Sequence, residues 1–192
     1  INELERRLAS VITQAFDDST TVLGRFKLLD SFEGLLEREI IQADLEKKNT
    51  DLLLAYAQDL KQIQEIFVKF KENPPVNNNL PPRSGAVTWV RGLVERVEDP
   101  MVRLKMMSKS VLETEEGKDA VRFHTAIMES LKDFEITQVS EWASEIENSS
   151  QEKLKQSLLR VDDDQSHFIR VNFDPALVCL LREVKYFVIL KI

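Results

Sequence analysis

The sequence predicts a mainly α-helical fold, an elongated helical bundle with one small β-hairpin near its C-terminal end. Three observations carry that expectation. The 192 residues include only five glycines and six prolines, so turn-makers are scarce, and the remainder is rich in Leu, Glu, Lys, Gln and Ala, which favour helix. Apolar residues recur every three or four positions along most of the chain, the period of one helix face. Strict alternation of apolar and polar residues appears in one place, from Ile169 to Phe173.

Bulk composition bounds the rest. With 43% hydrophobic and 31% charged residues the chain can bury a core and does not read as disordered. A formal net charge of -7 argues against binding nucleic acid or an anionic membrane, both of which need clustered Lys and Arg. One cysteine, Cys179, allows no internal disulfide, and a reducing, cytosolic setting is expected. No apolar stretch approaches the roughly 20 residues needed to span a bilayer, and Ile1-Asn2-Glu3-Leu4-Glu5 lacks the pattern of a signal peptide. Without an initiator Met, and with the uncapped ending Val188-Ile189-Leu190-Lys191-Ile192, the sequence reads as part of a longer chain.

The elements follow in order, and residues 1–72 read as long amphipathic helices. From Thr21, the positions Val22, Phe26, Leu29, Phe32, Leu36 and Ile40 line one helix face. A longer helix, from near Glu46 to Lys71, carries Leu53, Tyr56, Leu60, Ile63, Phe67 and Phe70 at spacings of 3, 4, 3, 4 and 3. At 1.5 Å per residue it would extend about 40 Å. Its apolar stripe serves as an internal bundle face or as a seam for a partner helix, and other amphipathic helices of the chain are available to cover it. Residues 73–83 form a connector, because the pairs Pro74-Pro75 and Pro81-Pro82 forbid regular helix there.

Residues 84–157 read as a second group of helices. Ser84 is positioned to cap a helix bearing Val87, Val90, Val94, Val97, Met101 and Leu104, with Trp89 and Leu93 widening its face and Pro100 expected to kink or break it. A helix from near Lys118 carries Phe123, Ile127, Leu131, Phe134, Val139, Trp142 and Ile146, then meets an expected polar turn at Asn148-Ser149-Ser150. Residues 158–174 read as a β-hairpin. Its strands would be Leu158-Leu159-Arg160-Val161 and Phe168 to Phe173, half-buried through Ile169, Val171 and Phe173. Over 175–192, Asp174 as N-cap and Pro175 as first residue open a helix with Leu177, Val178, Leu181, Val184 and Val188.

No constellation for catalysis emerges. None of Gly24, Gly34, Gly85, Gly92 and Gly117 begins a phosphate-cradling G-x-x-x-x-G-K-[ST] or G-x-G-x-x-G motif. A Cys or Ser nucleophile needs a base, and the histidines are His124 and His167. Cys179 sits in Leu177-Val178-Cys179-Leu180-Leu181 and reads as a buried, inert thiol, while His124 beside Phe123 reads as a packing residue. Asp162, Asp163, Asp164 and His167 could offer ligands to a hard cation, but they read first as a solvated turn. Trp89 and Trp142 read as core residues, and Glu37-Arg38-Glu39 and Glu46-Lys47-Lys48 as solvated surface. No catalytic, cofactor-binding or metal-binding residue is therefore assigned, and no cofactor is expected in this segment.

Several blocks resemble one family. The connector and the helix after it, Asn73-Pro74-Pro75 through Pro81-Pro82-Arg83-Ser84-Gly85-Ala86-Val87-Thr88-Trp89-Val90-Arg91-Gly92-Leu93, are similar to the Pro-rich linker and Trp-containing helix of the dynein heavy chain N-terminal tail. Val97-Glu98-Asp99-Pro100-Met101 follows in the family's order. Leu28-Leu29-Asp30-Ser31-Phe32-Glu33-Gly34-Leu35-Leu36, and Val171-Asn172-Phe173-Asp174-Pro175-Ala176-Leu177 running on to Leu181-Arg182-Glu183-Val184-Lys185-Tyr186, agree as well. The run Gly85 to Arg96 resembles axonemal heavy chains of the outer arm, whereas Asn77-Asn78 departs from a Ser-Arg or Arg-Asn pair frequent in the family and leaves the paralogue open.

The resemblance implies a non-catalytic tail segment, a scaffold that joins an ATP-driven ring elsewhere in the heavy chain to its attachment site. It implies dynein intermediate chains and neighbouring heavy chains as partners, with no nucleic acid or membrane, inside a large multi-subunit complex of the cytoplasm and cytoskeleton, in the axoneme of a cilium or flagellum. The residues by themselves leave a second reading open, a free-standing helical-bundle adaptor for a partner helix.

Overall fold

The structure is a computed structural model, and it describes residues 2–32, 34, 39–77, 79–107, 109–155, 157–161, 168–172 and 174–192. Its elements are α1 (Asn2–Asp18), α2 (Val22–Ser31), α3 (Glu39–Phe70), α4 (Pro82–Met107), α5 (Lys109–Leu112), α6 (Glu115–Leu154), β1 (Leu159–Val161), β2 (Ile169–Val171) and α7 (Pro175–Ile189). The mainly helical fold with a single small hairpin near the C-terminus is therefore observed. Contacts divide the chain into two compact units, residues 1–69 with 93–130 and residues 70–92 with 131–192.

The first unit is built around the stripe on α3. Leu53, Tyr56, Leu60 and Ile63 are buried, joined by Leu52, and Val97, Met101 and Leu104 of α4 and Ile127 of α6 complete the apolar interior. Burying such side chains contributes about 1.5–3 kcal/mol each before entropy is charged. Helix α1, which the sequence reading did not single out, adds Ala9, Ile12 and Phe16 on one face. Leu8, Leu28 and Phe32 pack around Ala9 and Ile12.

Polar contacts tie these helices at their edges. Lys48 reaches Asp17 at 2.8 Å and Asp51 at 3.5 Å, so it is committed to helix pairing and is not simply solvated. The Arg25 guanidinium lies 5.0 Å from the Phe16 ring centre, and its Nε donates to the Ser19 carbonyl at 3.0 Å.

Four features of this unit differ from expectation. The helix opened by Thr21, whose hydroxyl accepts from Gly24 N–H at 3.0 Å, ends at Ser31 with Phe32 as its C-cap. Ile40 belongs to α3, which begins at Glu39, and Leu36 lies outside the described residues. Helix α4 runs unbroken through Pro100, because the lost N–H is one bond in a helix otherwise anchored by buried Val97, Met101 and Leu104. Helix α6 begins at Glu115, where Thr114 Oγ1 accepts from Gly117 N–H at 3.1 Å. Gly117 is required there, since a Cβ would lie 2.3 Å from the Val111 carbonyl oxygen.

In the second unit the connector folds back on the helix it precedes. Val76 N–H donates to the Pro74 carbonyl at 2.8 Å, and the Val76 side chain sits so close to α4 that a Cβ on Gly85 would come within 2.3 Å of it. The α4 amino end is not capped by Ser84. Its hydroxyl is buried without a hydrogen-bond partner, and the Glu183 carboxylate of α7 accepts from the Arg83 and Ser84 N–H groups, each at 2.8 Å. Helix α6 passes directly through 148–150 to Leu154, so no turn lies there.

Both tryptophans are half-buried against aromatic rings. Trp89 meets Phe134 edge-on, with centres 6.0 Å apart at 82°, and Trp142 meets Phe187 at 4.5 Å. Arg91 fastens the end of α7 by donating to Glu135 at 2.6 Å and to the Leu190 carbonyl at 2.6 Å.

Candidate interaction surface

The two strands pair antiparallel in the register Leu159 with Val171, Arg160 with Arg170 and Val161 with Ile169. Side chains directly opposite share a face. The hairpin therefore has one face of four aliphatic groups and another carrying two arginines. Asn172 secures its open end, with its N–H on the Leu158 carbonyl at 2.8 Å and its side-chain amide on the Ser157 carbonyl at 2.9 Å.

The aliphatic face is exposed. Ile169 and Val171, expected to be half-buried, are 67% and 66% exposed, and Leu159 and Val161 are exposed with them. Phe173 lies outside the described residues. A two-stranded hairpin is marginal in water by itself, and like charges set opposite each other detract further, so an apolar covering would stabilise it.

Helix α7, in the same unit, carries exposed apolar groups of its own. Asp174 caps it, accepting from Ala176 N–H at 2.9 Å, and Pro175 opens it. Leu177, Glu183 and Phe187 are buried, whereas Val178, Leu181, Val184 and Val188 are exposed. The sequence set those last four on the helix together with Leu177, without showing which of them face inward. What turns the helix is Glu183: its carboxylate must reach the amino end of α4, and the face carrying it goes inward. The signal was present, because Leu177, Leu180, Glu183 and Phe187 lie at spacings of 3, 3 and 4, but an acid on an apolar stripe reads as a boundary unless its partner is known.

Beside this cap, Arg83 is held by α6 through Gln138 at 3.0 Å, Glu141 at 2.6 Å and Glu145. Burial disfavours the Arg83 charge, and the hydrogen bonds to Glu145 and Glu141 outweigh it, leaving the guanidinium more basic than usual. Cys179 is exposed, contrary to expectation, because the inward face of α7 excludes it. It borders a cleft with Trp142, Ile146 and Leu180.

His124 packs in the first unit, its Nδ1 2.8 Å from the Tyr56 hydroxyl. Asp162, Asp163, Asp164 and His167 lie outside the described residues. Among the described residues no group of three or more His, Cys, Asp or Glu side chains is placed to hold a metal, and no helix is long and apolar enough to cross a membrane. Another cleft, lined by Thr20, Thr21, Arg25, Asp59 and Arg96, has its cations engaged, Arg96 by Asp59 at 2.9 Å.

Comparison with known proteins matches the whole chain to a family. The family described as Dynein heavy chain, N-terminal region 1 matches residues 1–192. The chain is 51% identical, over 100% of its length, to the dynein beta chain of the flagellar outer arm of Chlamydomonas reinhardtii. It is 36% identical over 96% of its length to the ciliary dynein beta chain of Heliocidaris crassispina, and 29% over 97% to dynein axonemal heavy chain 9 of Homo sapiens. In each case the match spans 4% of the relative's length. An adaptor unrelated to dynein is thereby set aside, and the chain belongs to the dynein heavy chain family as its N-terminal region 1, a segment outside the ATPase domains of the motor.

Proposed function

We propose that this segment is a non-catalytic scaffold in the tail of an axonemal dynein heavy chain, supporting assembly with intermediate chains and neighbouring heavy chains in ciliary or flagellar motility. The relatives named for the flagellar outer arm and for cilia support the setting. The observation that carries the role is the hairpin, which presents Leu159, Val161, Ile169 and Val171 outward on one face. A patch of this kind marks a protein contact more often than idle surface. The partner assigned to it is an intermediate chain.

The test replaces those four residues by Thr in the full-length heavy chain, preserving β-propensity while removing the apolar face. The intermediate chain recovered per heavy chain is then measured in purified axonemal dynein. The expected result is a loss of most of the intermediate chain with the heavy chain still soluble. An unchanged ratio would remove the hairpin from the proposal.

A further inference from the structure

Tyr56 is fully buried on α3, yet its hydroxyl lies between polar atoms of two other helices of its unit. It is 2.8 Å from the Val97 carbonyl oxygen on α4 and 2.8 Å from His124 Nδ1 on α6. A phenol has one proton to give. The Val97 carbonyl can only accept, so at that distance the proton must point toward it. The reverse direction would set the phenol oxygen against the carbonyl oxygen, lone pair to lone pair. The contact with His124 must then run the other way, with the imidazole donating from Nδ1 to the phenol oxygen.

The location gives this chain of donors a purpose. Pro100 has no N–H, so the Arg96 carbonyl has no partner four residues on, and a proline ring crowds the carbonyl of that turn. Val97 supplies the next carbonyl of the same turn. We infer that Tyr56 and His124 form a directional clasp on the proline turn of α4, in which His124 is held as an Nδ1–H donor and Tyr56 relays that bond onto Val97. The clasp pins three helices at one buried point and keeps α4 helical from Pro82 to Met107. Burial, reinforced by the charge of Asp59, pushes the Tyr56 phenol above its ordinary pKa, so the hydroxyl keeps the proton it donates.

Hydrogen–deuterium exchange read by mass spectrometry on the full-length heavy chain tests this. His124→Asn places an amide N–H where Nδ1 stands and should leave exchange across residues 97–104 near that of the unaltered chain. His124→Leu keeps the bulk without the donor, and with Tyr56→Phe should speed exchange there about tenfold, as a local opening does. Pro100→Ala restores the missing N–H and should shrink the Tyr56→Phe effect to a small fraction. Equal effects of His124→Asn and His124→Leu, or a Tyr56→Phe effect of the same size with and without Pro100, would overturn the clasp.

Discussion

Glu183 closes the amino end of α4 on Ser84, its Oε2 accepting the Ser84 N–H at 2.8 Å while Oε1 takes the Arg83 N–H at the same distance. A carboxylate at a helix amino end satisfies donors that no carbonyl can reach and meets the positive end of the helix dipole. At 3% exposure this cap is shielded from water. Glu183→Ala should therefore cost about 1–3 kcal/mol in urea unfolding, and Glu183→Gln, which keeps one acceptor, a smaller amount. A loss below about 0.3 kcal/mol for the alanine variant would show that water takes over the cap.

Ser84 offers the opposite experiment. Its hydroxyl is buried with no hydrogen-bond partner, a desolvation cost with nothing to offset it. Ser84→Ala removes that cost and favours helix, and is expected to raise stability by about 1 kcal/mol. A lowered melting temperature would contradict the expectation.

Two glycines should respond in opposite directions to the same change. A Cβ on Gly117 would meet the Val111 carbonyl oxygen at 2.3 Å and Leu112 Cα at 2.6 Å, whereas a Cβ on Gly92, inside α4, would have nothing within 4 Å. Gly92→Ala should stabilise by about 0.5–1 kcal/mol. Gly117→Ala should destabilise by more than that, because backbone must move. Chemical denaturation of the pair decides it by sign alone.

The buried phenol predicts a sensitivity to alkali. Because burial, and secondarily Asp59, raise the Tyr56 pKa in the folded state, the folded chain holds this proton more tightly than the unfolded one. The resulting stability is intact below the ordinary tyrosine pKa of about 10 and is lost as pH rises beyond it, by up to about 1.4 kcal/mol per pH unit. Unfolding curves measured from pH 8 to 11 should show this fall, and Tyr56→Phe should flatten it. An equally steep fall in the phenylalanine variant would assign the effect to other groups.

Cys179 faces outward, so a thiol reagent should modify it in the folded chain without denaturant, with one equivalent consumed. Modification seen only after unfolding would return it to the interior, where its apolar neighbours in sequence suggested it belonged.

Helix existence was legible in the sequence because a 3-4 stripe such as Leu53-Tyr56-Leu60-Ile63 is imposed by burial itself. Asp174-Pro175 was legible for a local reason, since a cap and the first turn it serves are neighbours. What failed were features settled by distant partners. Ser84 looked like a cap because Glu183 was out of view, and the apolar residues of α7 left its inward face open because nothing local shows which face is used. Asn148-Ser149-Ser150 looked like a turn on composition, yet a few weak helix formers do not stop a helix as long as α6. The hairpin's two strands and the alternation through Ile169 and Val171 were readable, but not that these aliphatic groups stand exposed.

The reach of Glu183 also fixes an order of events. Its carboxylate lies 100 residues beyond the Arg83 N–H it receives, and at roughly 5–20 residues per second a ribosome needs on the order of 5–20 s to supply it. During that interval the first turn of α4 has only water for its leading N–H groups. Closure of so distant a loop is slow compared with helix growth, so this end of α4 should become protected late, after the stripe on α3 has already found its cover.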